Sequence, residues 1–337
     1  MLTIISGVGL LLVTLAGFSL FSMKAPKGSE AMSGMANAAI ASFLIEAVHS
    51  YITGDLLNIE FFKTVGTTSG SLGGVAAAIT VPIAMGGNPV FAVAAGLAVG
   101  GFGILPGFLA GYVIGLISPI IEKKLPEGLN IIVGALAIAP LARIIAVLVD
   151  PAVNATLVKI GGTISAAADQ SPIVMGFLLG GIMKMICTSP LSSMALTAML
   201  GLNGLAMGIA AIACVGGSFT NGIIFKRLKL GDKSNVIAVM LEPLTQANII
   251  TANPIPIYCS NFFGGGLAGI SAAAFGIINN APGTASPIPG LLAPFAFNSP
   301  LSVVGALIFA VLGGCLAGYV GSIVFKKRVE KTEVCYA

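Results

Sequence analysis

The chain has 337 residues, 56% of them apolar and 8% charged, with a net charge of +4 and a mean hydropathy of +1.03. So few charges cannot cover the surface of a soluble domain of this length, and the positive balance comes without the aromatic-interleaved basic face of a nucleic-acid binder. The apolar runs are long and continuous, which disfavours a β-barrel and leaves an all-α polytopic membrane protein, a single membrane-embedded domain over residues 1–337.

Forty-five glycines and no Trp predict closely packed helices with a sparse aromatic belt. Residues 1–22 carry no charged leading segment and no small-x-small cleavage site, and so read as a first transmembrane helix with the N-terminus outside. The block at 31–52 places Glu46 and His49 three residues apart, on one helix face. These two either reach a polar cavity or form a solvated helix end near the outer surface. His49 is the chain's one histidine, and the sequence offers no further ligands for a metal.

Apolar blocks follow at 71–86, 88–104, 106–121 and 129–149, with Asn88-Pro89 marking a helix break that is either a binding position or a loop cap. Arg143, seven residues before Asp150, reads as a snorkelling or acid-paired cation. The next blocks are 172–188, 190–202, 203–225, 236–258, 261–280, 284–298 and 301–325, with Lys184 inside the first of them. Crossing the hydrocarbon takes about 20 residues, so the Pro-broken blocks 190–202, 236–258 and 284–298 read as re-entrant. About ten membrane segments are expected.

Four basic clusters set the orientation. Lys24 with Lys27, Lys123 with Lys124, Lys226-Arg227-Leu228-Lys229 with Lys233, and Lys326-Lys327-Arg328 with Lys331 each follow an apolar run. The positive-inside rule puts all four, and the C-terminus, on the cytoplasmic side. The loops around Asp55 to Glu60 and Asp150 to Gln170 then fall outside. An internal repeat sets Gly107-Phe-Leu-Ala-Gly-Tyr-Val113 beside Gly314-Cys-Leu-Ala-Gly-Tyr-Val320, each running into a Lys-Lys pair, with Pro82 to Pro89 resembling Pro294 to Pro300 upstream. A fainter third copy starts at Ser189-Pro-Leu-Ser192.

The most informative stretch is Met240 to Ser260, where one carboxylate, several amides and hydroxyls and three prolines interrupt an apolar chain. Facing lipid at mid-depth, a carboxylate costs roughly 2.5–3.5 kcal/mol, so Glu242 faces water or a partner. It is either a hydroxyl acceptor for a polar solute, a proton site, or a cap of a short helix near the cytoplasmic surface. Pro243, Pro254 and Pro256 break the helix around Thr245, Gln246, Asn248 and Asn253, freeing backbone groups beside those side chains. That set suits an uncharged sugar or polyol better than an ion. Thr188-Ser189-Pro190 and Asn298-Ser299-Pro300 are further polar breaks, again binding positions or caps.

Cysteines 187, 214, 259, 315 and 335 show no metal-ligand spacing and read as packing residues, with Cys335 a weak lipidation candidate. No Ser-His-Asp set, P-loop, GxGxxG or HExxH is present, so no catalytic residue, metal or cofactor is expected.

Three features resemble the membrane-embedded IIC subunit of the bacterial sugar phosphotransferase system, in particular a short stand-alone branch that includes perfringolysin-regulator-type proteins. They are Glu242-Pro243, preceded by Met-Leu where the family usually has Gly-Ile-Thr; Asn253-Pro-Ile-Pro256 followed by Asn261-Phe-Phe-Gly-Gly-Gly-Leu-Ala-Gly269; and the Phe-Leu-Ala-Gly-Tyr helix. The resemblance implies a homodimeric inner-membrane carrier in which Glu242 holds sugar hydroxyls. It also implies that separate IIA and IIB proteins supply the phosphate. Without such partners the chain would be a facilitator or a ligand-sensing membrane regulator, and an ion channel would need a filter motif that the sequence lacks.

Overall fold

The computed structural model describes residues 2–124, 126, 129–168, 171–191, 193–200 and 202–326. Gln170, Ser192, Lys327, Arg328, Lys331 and Cys335, singled out above, lie outside the described residues. Within them the chain is helical, with no strand. In order, the helices are α1 (Leu2–Lys24), α2 (Gly28–Ala39), which continues as π-helical turns at Ile40–Leu44 and Ala47–Leu56, α3 (Glu60–Ser71), α4 (Gly73–Ala84), α5 (Pro89–Ala98), α6 (Ile104–Lys124) and α7 (Leu129–Ala168). There follow α8 (Pro172–Cys187), α9 (Ser193–Met199), α10 (Gly204–Leu228), α11 (Lys233–Leu241), a 3-10 turn at Pro243–Gln246, α12 (Ala247–Ala252), α13 (Pro254–Ala274), α14 (Pro287–Leu292) with a 3-10 turn at Ala293–Ala296, and α15 (Pro300–Val324).

Six helices are long and apolar enough to cross a membrane, or seven if α3 and α4, bent by 59°, form one broken span. That is fewer than the ten segments expected. Much of the difference lies in α5 and α8, which are apolar but short, as is the α14 segment already read as re-entrant. Proline is the physical reason. α5, α8, α13, α14 and α15 each begin with Pro at the first or second helical position, where its missing N–H costs nothing and its fixed φ favours the first turn. Asn88 Oδ1 accepts from Val90 N at 2.8 Å, and Ser299 Oγ accepts from Ser302 N at 3.3 Å, so two of the polar breaks are N-caps.

The helices sort into two bundles. α2, α4, α5, α6 and α7 pack together in the N-terminal half, and α8, α10, α13 and α15 in the C-terminal half. Glycine sets both. Gly107 and Gly111 on α6 lie against the backbone of Gly74 and Ala78 on α4, while Gly314 and Gly318 on α15 lie against that of Gly216 and Thr220 on α10. The Gly-x-Leu-Ala-Gly-Tyr-Val heptapeptide is thus the same packing element twice, its two glycines pressed against a helix running in the same direction. Gly176 and Gly180 on α8 meet Gly269 and Gly265 on α13 in the antiparallel sense.

Polar contacts tie the basic ends down. Arg227 Nε donates to Ser322 Oγ at 2.7 Å and the guanidinium lies 4.4 Å over the Tyr319 ring, so the basic ends of α10 and α15 are side by side. Lys27 Nζ donates to Met85 O at 2.5 Å and Tyr112 Oη to Pro26 O at 2.9 Å, holding the α1–α2 turn against α4 and α6. Arg143 does not pair with Asp150. Its Nη1 donates to Ala98 O at 3.1 Å and Gly100 O at 2.8 Å, at the C-terminal end of α5 where carbonyls accumulate and a cation is favoured.

Candidate functional site

α10 is the axis of the site. It is the most enclosed of the candidate spans, with 89% of its apolar window buried against 22% for α7, and its 25 residues make it about 37 Å long. Cys214 sits near its midpoint, which for a spanning helix is the middle of the hydrocarbon. Two breaks in other helices arrive near this level, and a third comes from the basic end of α10.

The first is the turn after α8. Lys184 Nζ, in the last turn of α8, donates to Cys214 O at 3.4 Å, so the end of α8 lies against the midpoint of α10. Ser189 Oγ donates to Ile186 O at 2.7 Å and accepts from Leu191 N at 3.2 Å, which closes the turn that Pro190 forces. The second break precedes α14. Ser193 Oγ donates to Ala285 O at 2.5 Å, Gly283 N donates to Thr197 Oγ1 at 3.2 Å, and Gly290 lies against the Ala211 carbonyl. This segment starts at the opposite end of α10 from the basic cluster, since Asn279 N bonds Gly204 O at 2.9 Å.

The third break comes from the basic end. α10 ends at Lys229 in the left-handed conformation, and Gly231, with φ of 83°, turns the chain back. Asp232 and Asn235 then form a reciprocal capping box at 2.9 Å in each direction. α11 runs back along α10 with Met240 against Gly222 and stops at Glu242. Pro243 cannot continue the helix, and Glu242 becomes the N-cap of the 3-10 turn, its Oε1 accepting from Leu244 N at 3.4 Å. Glu242 is 7% exposed.

The other expected residues sort by their contacts. Thr188 and Ser189, both 1% exposed, lie in the turn after α8, and Thr188 Oγ1 has no hydrogen-bond partner. Thr245, Gln246 and Asn253 are bonded largely within their own segment. Thr245 Oγ1 donates to Glu242 O at 2.7 Å, Gln246 Oε1 accepts from Asn235 Nδ2 at 2.7 Å, and Asn253 Nδ2 donates to Ile249 O at 3.0 Å. Asn248 is half-buried on α12. Asn88 is elsewhere: its Nδ2 donates to Glu122 Oε1 at 2.7 Å and its backbone N–H to Ser118 Oγ at 3.0 Å, next to Lys123. Glu46 and His49, both half-buried, make their contacts with α3, Glu46 against Gly70 and the His49 ring stacked on Phe62 at 5.2 Å.

One group given little weight in the sequence belongs here. Lys184 is 0% exposed, its Nζ donates to Cys214 O at 3.4 Å, and its stem fills the space left by Gly217 and Gly265. The available signal was its spacing: Lys184 and Thr188, four residues apart, share a helix face that runs into the Pro190 break. No group of three or more His, Cys, Asp or Glu side chains that could hold a metal occurs among the described residues.

Spanning helices whose interior is entered from both ends by broken helices, with charged and hydroxyl groups held at the middle, define the class of helical membrane transport proteins. A family model for the phosphotransferase system, EIIC, matches residues 29–335, and the chain belongs to that family. No curated protein and no solved structure compared with the chain matches it.

Proposed function

We propose that this IIC component carries a neutral hydroxylated solute, a sugar or polyol, across the bacterial inner membrane as a single transport domain, and that Glu242 accepts hydrogen bonds from the solute's hydroxyls. Separate IIA and IIB proteins deliver the phosphoryl group from the cytoplasmic side, where the four basic clusters and the C-terminus lie. The chain works as a homodimer.

The observation that carries this reading is the state of Glu242. A carboxylate buried near the middle of the bundle accepts one long bond from the protein, although an ionised carboxylate has roughly four acceptor sites. Burying that capacity unfilled is costly, and a solute hydroxyl or water fills it. Thr188 Oγ1 is a second buried polar group left unfilled.

The test has two stages. A panel of hexoses, hexitols, pentoses and disaccharides is screened by thermal shift of the detergent-purified protein, where a ligand at about 100 times its Kd adds roughly 2.7 kcal/mol to the apparent stability. Uptake of the stabilising compound is then measured in cells with and without the phosphohistidine donor. Accumulation that stops when the donor is removed is the expected result. Binding without uptake in either strain would make the protein a sensor and not a carrier.

A further inference from the structure

We propose that Lys184 is the second ligand-binding charge of this site, so that neighbouring hydroxyls of one solute bridge the Lys184 ammonium and the Glu242 carboxylate. The inference rests on the reading of Glu242 above and names what faces it.

Burying an ammonium is costly unless its donors are engaged. Lys184 is completely enclosed, yet of its three N–H donors the protein engages one, at 3.4 Å. The chain's other anchored cations are better served. Lys27 makes a 2.5 Å bond to a carbonyl, Arg143 reaches two carbonyls and the Phe102 ring, and Arg227 reaches Ser322 and the Tyr319 ring. Lys184 alone among these four is both fully buried and poorly bonded.

Its position is also built. A Cβ at Gly217 on α10 would run into the Lys184 stem, and so would one at Gly265 on α13. Two neighbouring helices therefore carry glycine where the lysine passes, and its head group is delivered to the level of Cys214. One turn further along the same face, Thr188 Oγ1 is buried without a partner. Glu242, also buried, accepts one bond from the protein, from Leu244 N at 3.4 Å. The site thus presents an underused donor, an underused acceptor and an unpartnered hydroxyl.

A hydroxyl group accepts from an ammonium and donates to a carboxylate, so a diol satisfies both charges at once. A cationic solute would satisfy Glu242 and be repelled by Lys184, and an anionic one the reverse. The arrangement therefore selects neutral polyols and sugars over amino sugars and sugar acids.

The test uses the full-length protein in detergent, with D-glucose, D-galactose, D-mannose, D-mannitol, D-glucitol and galactitol as probes, together with their monodeoxy analogues. Lys184→Met is compared with Lys184→Arg, Glu242→Gln and wild type. The expected result is a Kd raised at least about tenfold in Lys184→Met, partly restored in Lys184→Arg. In addition, one deoxy analogue should bind wild type worse than its parent and bind Lys184→Met equally well, an outcome that a merely structural lysine would not give. If Lys184→Met binds like wild type while Glu242→Gln does not, the proposal falls and the Glu242 reading stands. If neither variant affects binding, or no probe binds wild type, both fall. Should Lys184→Met fail to fold, Lys184→Gln carries the same comparison.

Discussion

Glu242→Gln is expected to weaken solute binding at least about tenfold without unfolding the protein. Glutamine keeps the shape of the side chain, and its carbonyl can still accept from Leu244 N, so the N-cap of the Pro243–Gln246 turn survives. What it loses is charge. A hydrogen bond to a charged group contributes roughly 1.5–3 kcal/mol, and each 1.4 kcal/mol is a factor of about ten in Kd. Calorimetry on the purified variant reads the difference. A Kd equal to that of wild type would remove Glu242 from the site and return it to the role of a helix cap.

Gly314→Val should abolish correctly folded protein, because a side chain there has nowhere to go. Its Cβ would enter the carbonyl of Gly216, and backbone cannot give way as the end of a flexible side chain can. α15 would have to move off α10, the helix that carries the midpoint of the site, breaking the Thr220 Oγ1 to Gly314 O bond of 2.9 Å as it goes. Overpacking costs about 1–3 kcal/mol where neighbours relax, and here relaxation means parting two helices. Fluorescence-detected size exclusion should show loss of the monodisperse peak. Gly17→Ala is the control: nothing lies within 4 Å of that position on α1, so the variant should behave as wild type.

Much of the architecture is readable from composition and punctuation. A chain this apolar must satisfy its backbone internally, which means helices, and Asn88-Pro89 and Ser299-Pro300 mark where two of them start because proline suits a first turn. The break at Glu242-Pro243 is equally legible. Depth is not. Nothing in the run from Met240 to Ser260 says that α11 turns back along α10 and leaves Glu242 buried. Lys184 is obscured for the same reason, since its environment is made by Gly217 and Gly265 on two other helices. The spacing of Glu46 and His49 correctly gives a shared side, but π-helical turns follow α2, and that side meets α3. Hydropathy alone marks about ten apolar segments, of which six or seven are helices long and apolar enough to cross.

The most direct test of the account is a map of the protein at saturating concentration of the compound that gives the largest thermal shift. Solute density is expected between Lys184 and the Glu242 turn, with hydroxyls within about 3 Å of the Glu242 carboxylate. Density placed instead in the roughly 240 Å³ cavity lined by Thr14, Phe18, Leu105 and Val153, with Glu242 facing only protein, would contradict it.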